Sequence, residues 1–343
     1  MIYYYLLFLF PTLFIFIEDK ISNSLKKLIS ILILFYIIIF TGLRDEVGGD
    51  WYVYKNYYEF FNQSLNIDIG FYYLIIITKY FGFNFYFFNF LIAIFFCLCT
   101  YIFCYKQKHF FLSISVLIPY YFIIISMGYI RQAIAMSFVI LVISNINNKK
   151  LIPLHILFIL FAFSFHKTAI IFLSIVMYQI ITLYREFIFK YFFLIILIIL
   201  NVFFVFIYYD KLSVLIQNYF YDVSAQSSGS KYRLILLLIP SISYILLSKY
   251  FSSYRDNKFW ILFNISFILI SSTYFISTVI ADRISLYFYS CQIIFFNRFV
   301  DLFTKYNIYL IKIIIILYSF IILFIWLNFA VNRSAWLPYS FFY

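Results

Sequence analysis

Residues 308–329 read IYLIKIIIILYSFIILFIWLNF, an apolar run interrupted by a single charge, Lys312. About 20 apolar residues in a helix cross a hydrocarbon core of roughly 30 Å, so this run predicts a transmembrane helix. The rest of the 343-residue chain has the same character, with 66% hydrophobic and 11% charged residues. In a soluble domain, roughly a quarter of all residues are charged. The composition therefore excludes a soluble domain and predicts a polytopic membrane protein.

Comparable apolar runs recur along the whole chain, and they define the predicted fold class. They begin near residues 2, 28, 84, 110, 129, 151, 168, 190, 232, 259, 284 and 308. The chain has only seven glycines and five prolines, and no stretch alternates with the period of two that a barrel strand requires. We therefore predict an all-α integral membrane protein with about twelve transmembrane helices in a single membrane domain, residues 1–343.

One apolar run is too short to be counted as a span. The segment Phe71–Phe81 contains Lys79 and is followed by Gly82. Its short length and its internal charge are typical of an interfacial or re-entrant helix. With this segment left out, one face of the protein carries fifteen cations and five acids, and the other face carries ten cations and eight acids. The first face includes Glu18, Asp19, Lys26, Lys108, Arg255, Asp301 and Lys312. The positive-inside rule then makes the basic face cytoplasmic and places both termini outside. The longer outer loops, residues 43–83 and 209–231, are where chemistry is expected.

The first outer loop begins with residues 42–51, GLRDEVGGDW, in which three carboxylates and an arginine lie close together. Carboxylates beside aromatic rings suit sugars, because rings stack on sugar faces and acids accept hydrogen bonds from hydroxyls. The alternative is a solvated juxtamembrane loop with an interfacial aromatic belt. The candidate residues of this loop are Arg44, Asp45, Glu46, Asp50, Trp51, Tyr54 and Asp68.

Two tight turns on the predicted outer face carry further candidates. Arg131 and Gln132 follow Gly128, where two spans are joined by almost no loop. An arginine in an apolar helix costs about 2.5 to 3.5 kcal/mol at the membrane centre, so it needs a partner or a function, unless it snorkels to the headgroups. The second turn carries His166 and Lys167. His166 could move a proton or donate to a phosphate, or it could be an ordinary turn histidine.

Four more candidates lie at outer helix ends later in the chain, and they are Arg233, Asp282, Arg283 and Arg333. Several guanidinium groups at one membrane face suit a lipid-linked diphosphate, which they bind in a bidentate way. Asp282 could instead be an ion-pair partner of Arg283. No phosphate loop, Asp-x-Asp pair, HExxH motif or zinc spacing occurs in the sequence. We therefore expect neither a metal nor a cofactor, and no nucleic-acid partner.

The order of these motifs resembles EpsG-like proteins, a branch of the Wzy-type polysaccharide polymerases. The resemblance rests on residues 42–51 with Tyr54, on MGYIRQ at 127–132, on FHK at 165–167, on Asp282-Arg283 and on WLPY at 336–339. It covers nearly the whole chain. One departure is Asp68-Ile69-Gly70, where the family is expected to have a Glu-Pro-Gly-like element. Asp68 would then be a shorter substitute for that glutamate.

The resemblance implies a metal-independent glycosyltransferase of GT-C-like architecture in the bacterial cytoplasmic (inner) membrane. Its site would face the periplasm or the cell exterior, where it would join undecaprenyl-diphosphate-linked oligosaccharide units during O-antigen, capsule or exopolysaccharide synthesis. Besides this substrate and the lipid bilayer, a chain-length regulator and a flippase are candidate partners. The catalytic candidates are Asp50, Glu46, Arg131, His166 and Arg283. The substrate-binding candidates are Arg44, Asp45, Trp51, Tyr54, Asp68, Gln132, Lys167, Arg233, Asp282, Arg333 and Trp336.

Two other functions remain open at this point. A flippase for lipid-linked oligosaccharide would also have about twelve spans, but its charges should line a cavity at the membrane midplane. In this chain the candidate charges lie at outer helix ends. An O-antigen ligase or a membrane acyltransferase would share an outer histidine and arginine, and only the resemblance favours the polymerase over these enzymes.

Overall fold

The structure is a computed structural model that describes residues 1–61, 67–183, 229–275, 277–303 and 305–342. Every regular element in these ranges is helical, which confirms the all-α prediction. The predicted span from about residue 190 and most of the predicted loop 209–231 lie outside the described residues.

Six helices in the described ranges are long and apolar enough to cross a membrane. They are Asn23–Gly42, Phe85–Tyr105, Phe110–Gly128, Asn257–Phe275, Thr278–Val300 and Asn307–Phe329. Shorter apolar helices occupy most of the other predicted spans, and they include Ile2–Thr12, Ile130–Ser144, Ile152–Phe165 and Leu173–Leu183. The count of twelve spans and the GT-C-like architecture stay predictions.

The contacts divide the chain into two compact units. The first unit comprises residues 1–144, 160–169 and 292–343, and the second comprises 145–159 and 170–291. The single membrane domain therefore stays a prediction. In the second unit, Ser230–Leu246 packs against Asn257–Ser271 and Thr278–Ser285.

Three helices pack together in the first unit, and a fourth is fully buried. Phe85–Tyr105 packs against Asn23–Gly42 on one side and Ile130–Ser144 on the other. Phe110–Gly128 is buried along its entire length, and its middle turns, Ile118–Ile125, are π-helical. Pro119 lies at the start of these turns and has no N–H to donate, which accounts for the change in helical pitch.

The short predicted helix is present as Ile69–Tyr80 and ends before Gly82, whose φ of 73° reverses the chain.

The predicted span near residue 2 is shorter than expected. Its helix, Ile2–Thr12, contains Pro11 near its end, and the chain continues to Lys20 in turns with i to i+3 hydrogen bonds.

Residues predicted to share the cytoplasmic face lie together in the first unit. Lys26 pairs with Glu18 at 2.6 Å, and Lys108 pairs with Asp301 at 2.6 Å. Lys312, the one charge of the run 308–329, is buried, and its ammonium lies 3.6 Å from the Asp19 carboxylate. The partner explains how an apolar helix accommodates this lysine.

Candidate functional site

Arg131 forms the centre of a charged cluster in the first unit. It lies in the first turn of Ile130–Ser144, and only Tyr129 separates this helix from the end of Phe110–Gly128. Its guanidinium donates to the Asp68 carboxylate at 2.8 Å, and 29% of its side chain is exposed. It also bonds the hydroxyl of Tyr54 and lies 5.9 Å from that ring. The pair is thus partly buried but open to a ligand.

Asp68 precedes the short helix Ile69–Tyr80, and its position depends on the second tight turn. A Cβ on Gly70 would collide with Ser164, so the glycine allows the start of the helix to approach residues 164–168. Lys167 of that turn acts electrostatically on the Asp68 carboxylate. Burial raises the pKa of Asp68 above its ordinary value, although Arg131 and Lys167 act in the opposite direction.

His166 is the single residue between the helix Ile152–Phe165 and the 3-10 helix Lys167–Phe172, so the predicted break between two helices is present. Its Nδ1 lies 2.6 Å from the Thr168 hydroxyl, and its ring is half-buried. The hydrogen bond fixes the ring orientation. Thr168, two residues after His166 in the sequence, was the available signal for this contact, and the sequence interpretation did not use it.

Arg44 is in a very different position from Arg131, because it is completely enclosed. It is 1% exposed and donates to the backbone carbonyls of Thr41, Val47 at 2.9 Å and Met127 at 3.2 Å. Its guanidinium also lies over the buried ring of Trp51, 5.1 Å from its centroid. Burial lowers the pKa of Arg44 to about 10, so the group stays protonated at neutral pH.

The acids of the first outer loop have different surroundings. Asp45 accepts a hydrogen bond from Tyr86 at 2.9 Å, a partner that sequence reasoning missed because Tyr86 belongs to an apolar helix. Glu46 is exposed, and its hydrogen bond raises the pKa of Tyr52. Asp50 is half-buried at the start of the helix Trp51–Glu59.

The end of the chain lies along this loop. Residues 330–342, which we call the tail, follow the helix Lys305–Phe329. Asp45 N–H donates to Ser340 O at 3.0 Å, Phe342 N–H to Leu43 O at 2.8 Å and Gly48 N–H to Ala335 O at 2.8 Å. Trp336 of the tail is buried, whereas Arg333 is exposed.

Four further candidates are Gln132, Arg233, Asp282 and Arg283, and each is described by its own surroundings. Gln132, the residue after Arg131, is buried. In the second unit, Asp282 pairs with Arg233 at 2.9 Å, and both side chains are buried. The sequence interpretation considered only the adjacent Arg283 as a partner of Asp282. Arg283 itself is half-buried at the end of Thr278–Ser285.

Among the described residues, no group of three or more His, Cys, Asp or Glu side chains is placed to hold a metal ion. The prediction of a metal-independent mechanism is not tested by this observation. The chemistry available at the Arg131 cluster is that of a guanidinium, a carboxylate, a tyrosine hydroxyl and a nearby lysine.

The fold and this cluster define a helical membrane protein with a charged site at the ends of its apolar helices. The sequence profile of the EpsG family matches residues 26–341, and the chain therefore belongs to the EpsG family. The resemblance found in the motifs is thereby confirmed. Membership makes it a membrane protein of polysaccharide biosynthesis. No curated protein and no solved structure matches the chain.

Proposed function

We propose that this protein is a polysaccharide polymerase that joins undecaprenyl-diphosphate-linked oligosaccharide repeat units on the outer face of the bacterial cytoplasmic membrane. The product would be an O-antigen, a capsule or an exopolysaccharide. Membership of the EpsG family supports the class of protein. The observation that carries the chemistry is the partly exposed ion pair between Arg131 and Asp68.

Arg131 is suited to the leaving group of this reaction. When the glycosidic bond to the lipid diphosphate breaks, negative charge grows on a phosphate oxygen, and a preorganised cation stabilises it. A planar guanidinium binds two phosphate oxygens at once, which an ammonium does not do. In this proposal the diphosphate replaces Asp68 on Arg131, and Lys167 adds a second positive charge nearby. His166 would donate to the same group.

The acceptor hydroxyl needs a carboxylate that takes its proton. Its oxygen forms the new bond to the anomeric carbon, the electron pair of the old bond leaves with the diphosphate, and the proton moves to the base. The carboxylate that lies against Arg131 is Asp68, so it ranks first for this role. Its raised pKa strengthens it as a base. Asp50 and Glu46 stay as the alternatives predicted from the sequence.

The other predicted groups take supporting roles in this proposal. Arg283 keeps the catalytic role, and Arg233, Asp282 and Arg333 keep the substrate-binding roles, that are predicted from the sequence. The enzyme would belong to the GT-C type and would use no metal. A chain-length regulator and a flippase would be its protein partners.

The test is deletion of the gene in its host, followed by electrophoresis of the surface polysaccharide. The strain is complemented with the wild type, with Arg131→Ala, and with Arg255→Ala as a matched control. Arg255 is an exposed arginine of the second unit, on the predicted cytoplasmic side. All variants are compared at equal membrane abundance.

The proposal requires a single-repeat product in the deletion strain. Long chains should return with the wild type and Arg255→Ala but not with Arg131→Ala. Complete loss of surface sugar, with lipid-linked units trapped inside the cell, would identify a flippase instead. Long chains that accumulate on the lipid carrier would identify a ligase. Unchanged chain length in the deletion strain would refute the proposal.

A further inference from the structure

Trp336 of the tail is more deeply buried than a ring that stacks on a sugar would be. The side chain is 4% exposed. Its indole N–H donates to Ile123 O at 3.2 Å, and its ring packs in a T-shaped arrangement with that of Trp326, with the centroids 5.0 Å apart. The backbone oxygen of Trp336 accepts from the Tyr4 hydroxyl at 2.7 Å. The polar edge of the indole is therefore already used, and little of the ring is open to a sugar.

The ring lies against two glycines that belong to different segments. A Cβ on Gly49 would come within 3.0 Å of the ring, and a Cβ on Gly128 would come within 2.8 Å. The approach at Gly128 is closer than a side chain allows, and the approach at Gly49 is tighter than most side-chain contacts. The rigid indole would have to shift in either case. A glycine at the junction of two predicted spans, as Gly128 is, would be expected to permit a tight turn. Its φ is not in the left-handed region, so the space taken by Trp336 is the stronger reason for a glycine at this position.

The two glycines connect this ring to the Arg131 cluster. Gly128 ends one buried helix, and Arg131 lies three residues later in the first turn of the next. On the loop side, Gly48 has a φ of 126° and approaches the carbonyl of Met127 too closely to carry a side chain. Arg44 donates to the same carbonyl. The position of Arg131 thus depends on the packing of Trp336 against these two glycines.

We infer that Trp336 is a positioning residue, a wedge between Gly49 and Gly128 that holds Arg131 in the orientation in which it meets the diphosphate. The inference rests on the proposed function for its catalytic readout. It replaces a sugar-binding role for Trp336 by a mechanical one. A displaced Arg131 loses stabilisation of the transition state, so the effect should appear in kcat.

The experiment is a double-mutant cycle on the purified full-length protein, with lipid-linked repeat units as substrate. The proteins are the wild type, Gly128→Ala, Trp336→Leu and the double variant. Gly128→Ala forces the ring away and should lower kcat about tenfold or more, with KM for the lipid-linked unit within about twofold of wild type. The double variant makes room for the new methyl group and should recover kcat at least about fivefold over Gly128→Ala. Trp336→Phe keeps a flat ring and should fall between wild type and Trp336→Leu.

Two outcomes would overturn the inference. A Trp336→Leu variant with raised KM and unchanged kcat would mean that the ring binds sugar. Losses that follow only the amount of folded protein, with normal kcat for the folded fraction, would mean that the wedge is structural and does not position Arg131.

The melting temperatures of the same four proteins in detergent separate this inference from the proposed function. Residues in contact have non-additive effects, so the double variant should melt higher than the two single changes predict when added. Without polymer from the wild type the proposed function fails, and the melting temperatures then test the wedge alone. Additive changes in melting temperature would refute the wedge in either case.

Discussion

Arg44 and Arg131 were predicted from the same kind of pattern, an arginine at the outer end of an apolar run, yet their surroundings differ completely. Arg44 is 1% exposed and its partners are backbone carbonyls, which cannot move away unless the loop unfolds. Arg131 is partly exposed and its partner is a side-chain carboxylate, which can rotate away when a stronger anion arrives. The comparison teaches that the partner, more than the charge, decides whether an arginine stabilises the fold or binds a ligand.

The largest expected effect is on Arg131. Arg131→Ala should lower kcat by about 100-fold to 1000-fold, the usual cost of removing one preorganised donor to a developing oxyanion. The melting temperature should fall less than it does for Arg44→Ala, because 29% of the Arg131 side chain is exposed whereas Arg44 is enclosed. Arg131→Lys keeps the charge without the planar fork and should recover only part of the rate. If the kcat of Arg131→Ala stays within a few-fold of the wild-type kcat, the contrast between the two arginines is refuted.

Arg44 should show the opposite pattern. Arg44→Ala leaves several buried carbonyls without a donor and should destabilise the protein by about 3 kcal/mol. Arg44→Lys should be nearly as unstable, since one ammonium cannot reach carbonyls in three directions. Thermal unfolding in detergent measures the loss, and activity is divided by the folded fraction. Arg44 variants that melt like wild type but fail to polymerise would show that Arg44 contacts substrate.

A smaller effect concerns the pH dependence of stability at Asp68. Burial raises the pKa of the Asp68 carboxyl above 3.8, so the folded state favours its protonated form. Its stabilising contribution is therefore full below pH 3.8 and is lost as the pH rises through the folded-state pKa. The free energy of unfolding of wild type should thus fall relative to Asp68→Asn over this rise in pH.

The smallest expected effect is at Glu46, the exposed acid of the first outer loop. Glu46→Gln should change the free energy of unfolding by less than about 0.5 kcal/mol, as surface substitutions usually do. Its kcat should stay near wild type if Asp68 is the base. Loss of a general base costs about 100-fold or more, so a fall of that size would transfer the role to Glu46.

Much of the fold could be predicted because apolar runs and their breaks are local signals. The short helix at residues 69–80 and the helix breaks before Arg131 and at His166 were predicted correctly from run length and polar residues. The charges assigned to one face by the positive-inside rule also form pairs, as Lys108 and Asp301 do. These features depend on residues close in sequence or on a simple count of charge.

The site was harder to predict because its contacts depend on how the helices pack. Asp282 has Arg283 beside it in the sequence, but it pairs with Arg233, 49 positions earlier by residue number. Trp336 follows polar residues, as a sugar-stacking ring would, and only the packing shows that the ring is covered. Tyr86 is one of 36 tyrosines, and nothing in its sequence neighbourhood marks it as the partner of Asp45.

The junction of loop, turn and tail also constrains how members of this family can exchange sequence. Residues 43–50, 127–129 and 330–342 are far apart in the gene but fit one another through glycines with no spare room. A chimera that imports one of these segments from a homologue with different side-chain volumes would bring a mismatch into the buried junction. Functional recombinants should therefore inherit all three segments from the same parent, whichever parent supplies the remaining helices.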